Sequence, residues 1–213
     1  DYNLIIKYLS TGIGFYKGLF NRFKFKSGIN ELDVKVRENS DGSLKTTPSM
    51  QFKKYSYIFS TFEYIYDTRD IYKDPNQGIL LYNNFNYSYG IKNTTSLLEY
   101  NIIFKIFYSL RNWKFDPVVS VTFMGDFING KNIPIFDREY LGGEGKVRGY
   151  SPVPINNSNQ VVDKIEIEQY VLNSIQLQYT IIERKDLGKV EFGIDGVLFT
   201  DYGFGSFDIK TMQ

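Results

Sequence analysis

The sequence predicts an all-β fold, an antiparallel transmembrane β-barrel. Three observations predict it. The first is apolar alternation with a period of two. Positions 98–110 set Leu98, Tyr100, Ile102, Phe104, Ile106, Tyr108 and Leu110 on one face and Glu99, Asn101, Ile103, Lys105, Phe107 and Ser109 on the other. The second is length: such segments exceed the roughly five or six residues of a soluble strand and reach the about nine to eleven that a tilted membrane-crossing strand needs. The third is a glycine-rich segment, 129–163, lying between two such strands where a hairpin loop of about two to five residues is usual.

The elements follow in order. Positions 4–15 and 22–29 read as strands, and Leu32, Val34 and Val36 alternate with Asp33, Lys35 and Arg37. The apolar phase slips near Gly28-Ile29-Asn30, which predicts a bulge or turn there. Positions 39–49 read as a polar loop. Asp74-Pro75-Asn76-Gln77-Gly78 and Ile91-Lys92-Asn93-Thr94-Thr95 mark turns around a strand at 79–89. Arg111-Asn112-Trp113-Lys114 leads into a strand at 119–127. After the long segment, positions 165–181 alternate again. Ile165, Ile167, Val171, Ile175, Leu177, Tyr179 and Ile181 oppose Lys164, Glu166, Glu168, Ser174, Gln176, Gln178 and Thr180. Glu183-Arg184-Lys185-Asp186 turns into a last strand at 190–202. Tyr and Phe gather near the strand ends, as interfacial girdles require.

Composition narrows the chemistry. The 213 residues include no histidine and no cysteine. That excludes Ser-His-Asp hydrolysis, thiol catalysis, disulfides and the common zinc sites. A net charge of +1 gives no basic excess for nucleic acid. The mean hydropathy of −0.30 suits a soluble protein and a membrane barrel equally, because only alternate barrel residues meet lipid. A soluble sandwich or lipocalin-like barrel with its apolar face inward is the competing reading. Asp126, Asp137 and Glu139 are acids that a calcium ion would use, but nothing in their spacing fixes a geometry, so no metal is assigned.

Three motifs carry a family resemblance. Tyr140-Leu141-Gly142-Gly143-Glu144-Gly145-Lys146-Val147-Arg148-Gly149-Tyr150 resembles the loop signature of the BamA-type outer-membrane barrels, which include the two-partner secretion transporters. Tyr66-Asp67-Thr68-Arg69-Asp70, followed by Pro75 and Gly78, resembles the family's strand end. Val197-Leu198-Phe199-Thr200-Asp201-Tyr202-Gly203 resembles its Phe-x-Asp-x-Gly strand.

The resemblance implies a sixteen-stranded barrel with the long loop folded into the lumen. Residues 1–213 would be a single barrel region, its carboxy-terminal part, without the periplasmic domains and the last strands. It also implies a lumenal lock in which Arg148, flanked by Val147, Gly149 and Tyr150, meets Asp201 and Phe199. Tyr150 would pack on the inner wall, and Gly142 and Gly143 would let the loop pass close to it. Family members often carry a glutamate where this chain has Gln176. Glu166 or Glu168, on the same face, is the candidate substitute. Asp67 and Asp70 read as turn formers, with Asp70 capping the hairpin and Arg69 pairing with it.

The implied function is non-enzymatic: inserting outer-membrane proteins or translocating a polypeptide. A passive pore, or the membrane anchor of a fused hydrolase, is the alternative. The implied partners are the lipid bilayer, an unfolded or exported polypeptide and accessory assembly subunits, with no nucleic acid and no cofactor. The implied location is the outer membrane of a bacterium or an organelle.

Overall fold

The computed structural model describes residues 2–36, 54–92, 96–111, 113, 116–131, 133, 139–143, 145–150, 166–186, 188 and 191–206. The polar loop expected at 39–49, Asn93 to Thr95 of the predicted turn, Asp137, positions 151–163, Lys164 and Ile165 lie outside them.

Eight strands form one antiparallel sheet: β1 (Tyr2–Lys17), β2 (Asn21–Val36), β3 (Lys54–Asp67), β4 (Gly78–Lys92), β5 (Leu97–Ser109), β6 (Val118–Gly130), β9 (Gln169–Asp186) and β10 (Glu191–Ser206). The sheet is the wall of a partial β-barrel. Strands β6 and β9 pair directly. The chain between them therefore leaves the sheet and returns beside its point of departure. On the way it forms a two-stranded pair, β7 (Glu139–Tyr140) with β8 (Glu166–Ile167).

The alternation read from the sequence separates the two faces. Ile106, Val121, Ile175 and Leu198 are exposed on the outer face. Aromatic rings stack across strands there, Phe85 on Tyr100 at 4.3 Å and Phe15 on Phe23 at 4.9 Å. So much contiguous exposed apolar surface suits lipid and not water. The inner face is polar. Lys24 pairs with Glu63 at 2.6 Å, Thr61 donates to Asn86 at 3.0 Å, and Asn101 donates to Asp126 at 3.1 Å.

Two expectations are corrected. No bulge or turn interrupts β2 at Gly28-Ile29-Asn30: its pairing with β1 runs unshifted from Lys17↔Asn21 to Tyr2↔Val36. The apolar phase changes because Leu32 faces inward, 6% exposed, whereas Ile29 faces outward at 49%. Leu32 belongs to an inner cluster with Tyr57, Leu97, Ile128 and Ile133. Nor is 165–181 one strand. Strand β9 starts at Gln169, and Ile167, expected on the outer face, is turned inside at 3% exposure. Gly205 makes the room, since a Cβ there would lie 2.6 Å from Ile167 Cδ1.

Candidate functional site

The site is built on two inward-facing pairs. Asp201 and Phe199 of β10 stand two residues apart, so both point into the lumen. They pair directly with Ser174 and Gln176 of β9. These four side chains form a tile, and the Arg148 guanidinium lies on it. Nε donates to Asp201 Oδ2 and Nη2 to Asp201 Oδ1, each at 2.8 Å. This is the two-pronged guanidinium–carboxylate fork. Nη2 also donates to Ser174 Oγ at 3.0 Å, and Nη1 to Gln176 Oε1 at 3.1 Å. The Arg148 backbone N–H adds a bond to Asp201 Oδ2 at 3.0 Å. The guanidinium carbon sits 3.5 Å from the Phe199 ring centroid, a cation–π stack. Phe199 thus meets the head of the arginine. The Asp201 side chain is only 3% exposed. Hydrogen bonding to Asp201 holds the Arg148 pKa above its ordinary value.

The loop around Arg148 doubles back tightly. Val147 N–H donates to Leu141 C=O, Lys146 N–H donates to Gly143 C=O, and Gly142 bridges Val147. Gly143, Gly145 and Gly149 adopt φ of 115°, 81° and 89°, a region closed to most side chains. Leu141 and Ile167 pack on Tyr170 and Leu172, with Val147 and Met124 at the margin. The close approach to the wall is made at Gly203, where a Cβ would lie 3.1 Å from Val147 Cγ2 and 3.2 Å from Leu141 Cδ1.

Several expected placements differ. Tyr150 does not pack on the inner wall; it is 66% exposed and overhangs a cleft lined by Leu141, Val147 and Gly203. Gln176 itself bonds to Arg148. Glu168 takes no part, and Glu166 pairs through its backbone with Tyr140. Glu139, considered for a cation, pairs with Lys146.

The β3–β4 turn is a second ordered piece. Asp70 Oδ1 accepts from the backbone N–H of Ile71 and Asn76 at 2.9 Å and of Gln77 at 3.2 Å. Desolvation pushes its pKa up, but these donors prevail and hold it below the usual carboxylate value. Arg69 does not pair with Asp70. It forks onto Asp67, through Nε at 2.8 Å and Nη2 at 2.9 Å, and Arg22 reaches the same carboxylate at 3.1 Å. That hydrogen bonding raises the Arg69 pKa. Gly78, at φ 119°, closes the turn against Thr68 O.

Sequence reasoning missed Ser174 as a partner and Gly203 and Gly205 as the loop's seat. The signal was present in spacing. Ser174 and Gln176 share the polar face of 165–181, and Phe199, Asp201, Gly203 and Gly205 share one face of the next strand.

The fold and site define a class: a membrane β-barrel wall with a loop arginine tied to its inner face. The chain belongs to the Omp85 superfamily, whose domain model matches residues 5–210. That membership makes it an outer-membrane protein. Among solved structures it is similar to BamA from Haemophilus ducreyi lacking POTRA domains 1–3. The TM-score is 0.64 at 14% sequence identity, over 87% of this chain and 39% of that one. The chain therefore spans 39% of that chain's length. No curated protein matches it in sequence.

Proposed function

We propose that this chain is part of a bacterial outer-membrane barrel that inserts outer-membrane proteins or translocates a polypeptide, without a chemical step. The observation that supports this reading is the Arg148 lock on Asp201 and Phe199. A passive pore has no need of a loop held by five hydrogen bonds and a ring stack. A loop held this firmly stiffens the wall it touches. The work on a substrate chain is done by geometry. A strand edge offers N–H and C=O groups that template an incoming strand, and no bond is made or broken. The lipid bilayer and an unfolded or exported polypeptide are the partners, with accessory assembly subunits at the periplasmic side.

The test is reconstitution of the full-length protein in lipid vesicles with an unfolded barrel substrate or a secreted polypeptide. Faster insertion, or transfer across the bilayer, is expected. Neither effect, together with peptide or ester hydrolysis that co-purifies with the protein, overturns the reading.

A further inference from the structure

The β3–β4 turn folds inward across the lumen. Asp74, at its tip, accepts a hydrogen bond from Gln178 Nε2 of β9 at 3.2 Å. Strands β4, β5 and β6 stand between β3 and β9 in the sheet, so the turn crosses the opening and does not follow the wall. Beneath it lies a cavity of about 240 Å³. Phe107, near the end of β5, and Val118, the first residue of β6, place this cavity at the turn-side mouth of the barrel.

Three cations line it: Arg69, Lys73 and Lys105. Arg69 is matched by Asp67. Lys105 points inward from β5, half-buried, and Lys73 sits on the turn. Neither has an acidic partner among the described residues, and the one carboxylate in the lining is Asp74. A half-buried ammonium beside a guanidinium is a costly arrangement unless an anion joins it. Ser120 and Gln176 add neutral polar groups to the same lining. The Gln176 carbonyl is taken by Arg148, which leaves its amide N–H groups to donate.

We infer that this cavity is a carboxylate-binding subsite, which takes an acidic side chain of a polypeptide entering the lumen at the turn-side mouth. The inference rests on the functional reading above for its ligand. The cavity's cations, Lys105 and Lys73 beside Arg69, take no part in the Arg148 lock, which it adjoins through Gln176. The charge-assisted contacts favour a carboxylate held by more than one donor. A cavity of about 240 Å³ accommodates one side chain at a time.

The probe is a short fluorescent peptide of alternating glycine and glutamate, blocked at both ends, with its glutamine counterpart as control. Binding to the full-length protein is read by anisotropy. The glutamate peptide should bind about tenfold more tightly than the glutamine peptide, a difference of about 1.4 kcal/mol. Lys105→Gln and, on the exposed turn, Lys73→Gln should each weaken it, and Lys105→Arg should preserve it. Added salt should weaken it as well. Equal binding of the two peptides overturns the inference, as does binding indifferent to both lysines. So does saturation by inorganic phosphate with no glutamate-peptide binding. The vesicle assay separates the two readings. Polypeptide handling without Lys105-dependent peptide binding sinks the subsite alone. Lys105-dependent binding without handling keeps the subsite and sinks the function.

Discussion

Ser174 Oγ donates to Asp201 Oδ1 at 2.7 Å across the β9–β10 pair, so the carboxylate that receives Arg148 is also held from within the sheet. The loop does not organise its own receptor. It docks onto one that two sheet strands supply.

Arg148→Ala should leave the barrel folded and free the loop. It strands a nearly buried carboxylate, and losing charge-assisted hydrogen bonds of this kind costs about 1.5–3 kcal/mol. Limited proteolysis within positions 140–150 should speed up, and insertion or export should fall. Arg148→Lys should restore only part, because an ammonium cannot fork onto Asp201 or lie flat on Phe199. Full restoration by lysine would show that charge alone holds the loop.

The two faces of β5 should respond oppositely to charge. Ile102→Arg puts a cation on the lipid face at a cost of about 2–4 kcal/mol near the bilayer centre. Asn101→Arg puts one in the lumen beside Asp126 and should cost far less. Folding titrations in lipid compare them, and equal penalties would contradict the assignment of faces.

Gly205→Ala should unseat Ile167, since the new methyl would lie 2.6 Å from its Cδ1 and 2.7 Å from its Cγ2. Overpacking of this order costs about 1–3 kcal/mol. Gly203→Ala should be milder, because its nearest neighbours, the side-chain methyls of Val147 and Leu141, lie further off at 3.1 and 3.2 Å. Thermal unfolding in detergent should rank the two in that order.

The β3–β4 turn should loosen in acid. Asp70 has a depressed pKa in the folded chain, so its contribution is present above the unfolded value of about 3.9 and is lost as pH falls through the lower folded value. Cleavage of the turn by an acid-tolerant protease should therefore rise below about pH 4. In Asp70→Asn the turn should be open to cleavage at neutral pH and lose that dependence.

Much of this was legible in the sequence, for identifiable reasons. The strand faces follow from a period of two, which has no tertiary input. The pairing of Arg148 with Asp201 follows from motif resemblance plus the inward phase of Asp201. What escaped depended on contacts between segments distant in sequence. Ile167 looked like an outer-face residue until Gly205 offered it an inner seat. Leu32 broke the alternation of β2 because an apolar cluster inside the wall claimed it. Tyr150 was expected on the wall, but its ring is exposed, next to Gly149 at φ 89°.

Every side chain that grips Arg148 lies later in the chain than Arg148 itself: Ser174, Gln176, Phe199 and Asp201. Read from the amino terminus, the loop is complete before its dock exists. It is tied only where the β9–β10 hairpin is formed. A hairpin slipped by one residue would turn Asp201 to the lipid side and leave nothing to grip. Seating of the arginine therefore requires the β9–β10 hairpin to be in its observed register. It reports that the final hairpin of the described sheet has zipped correctly.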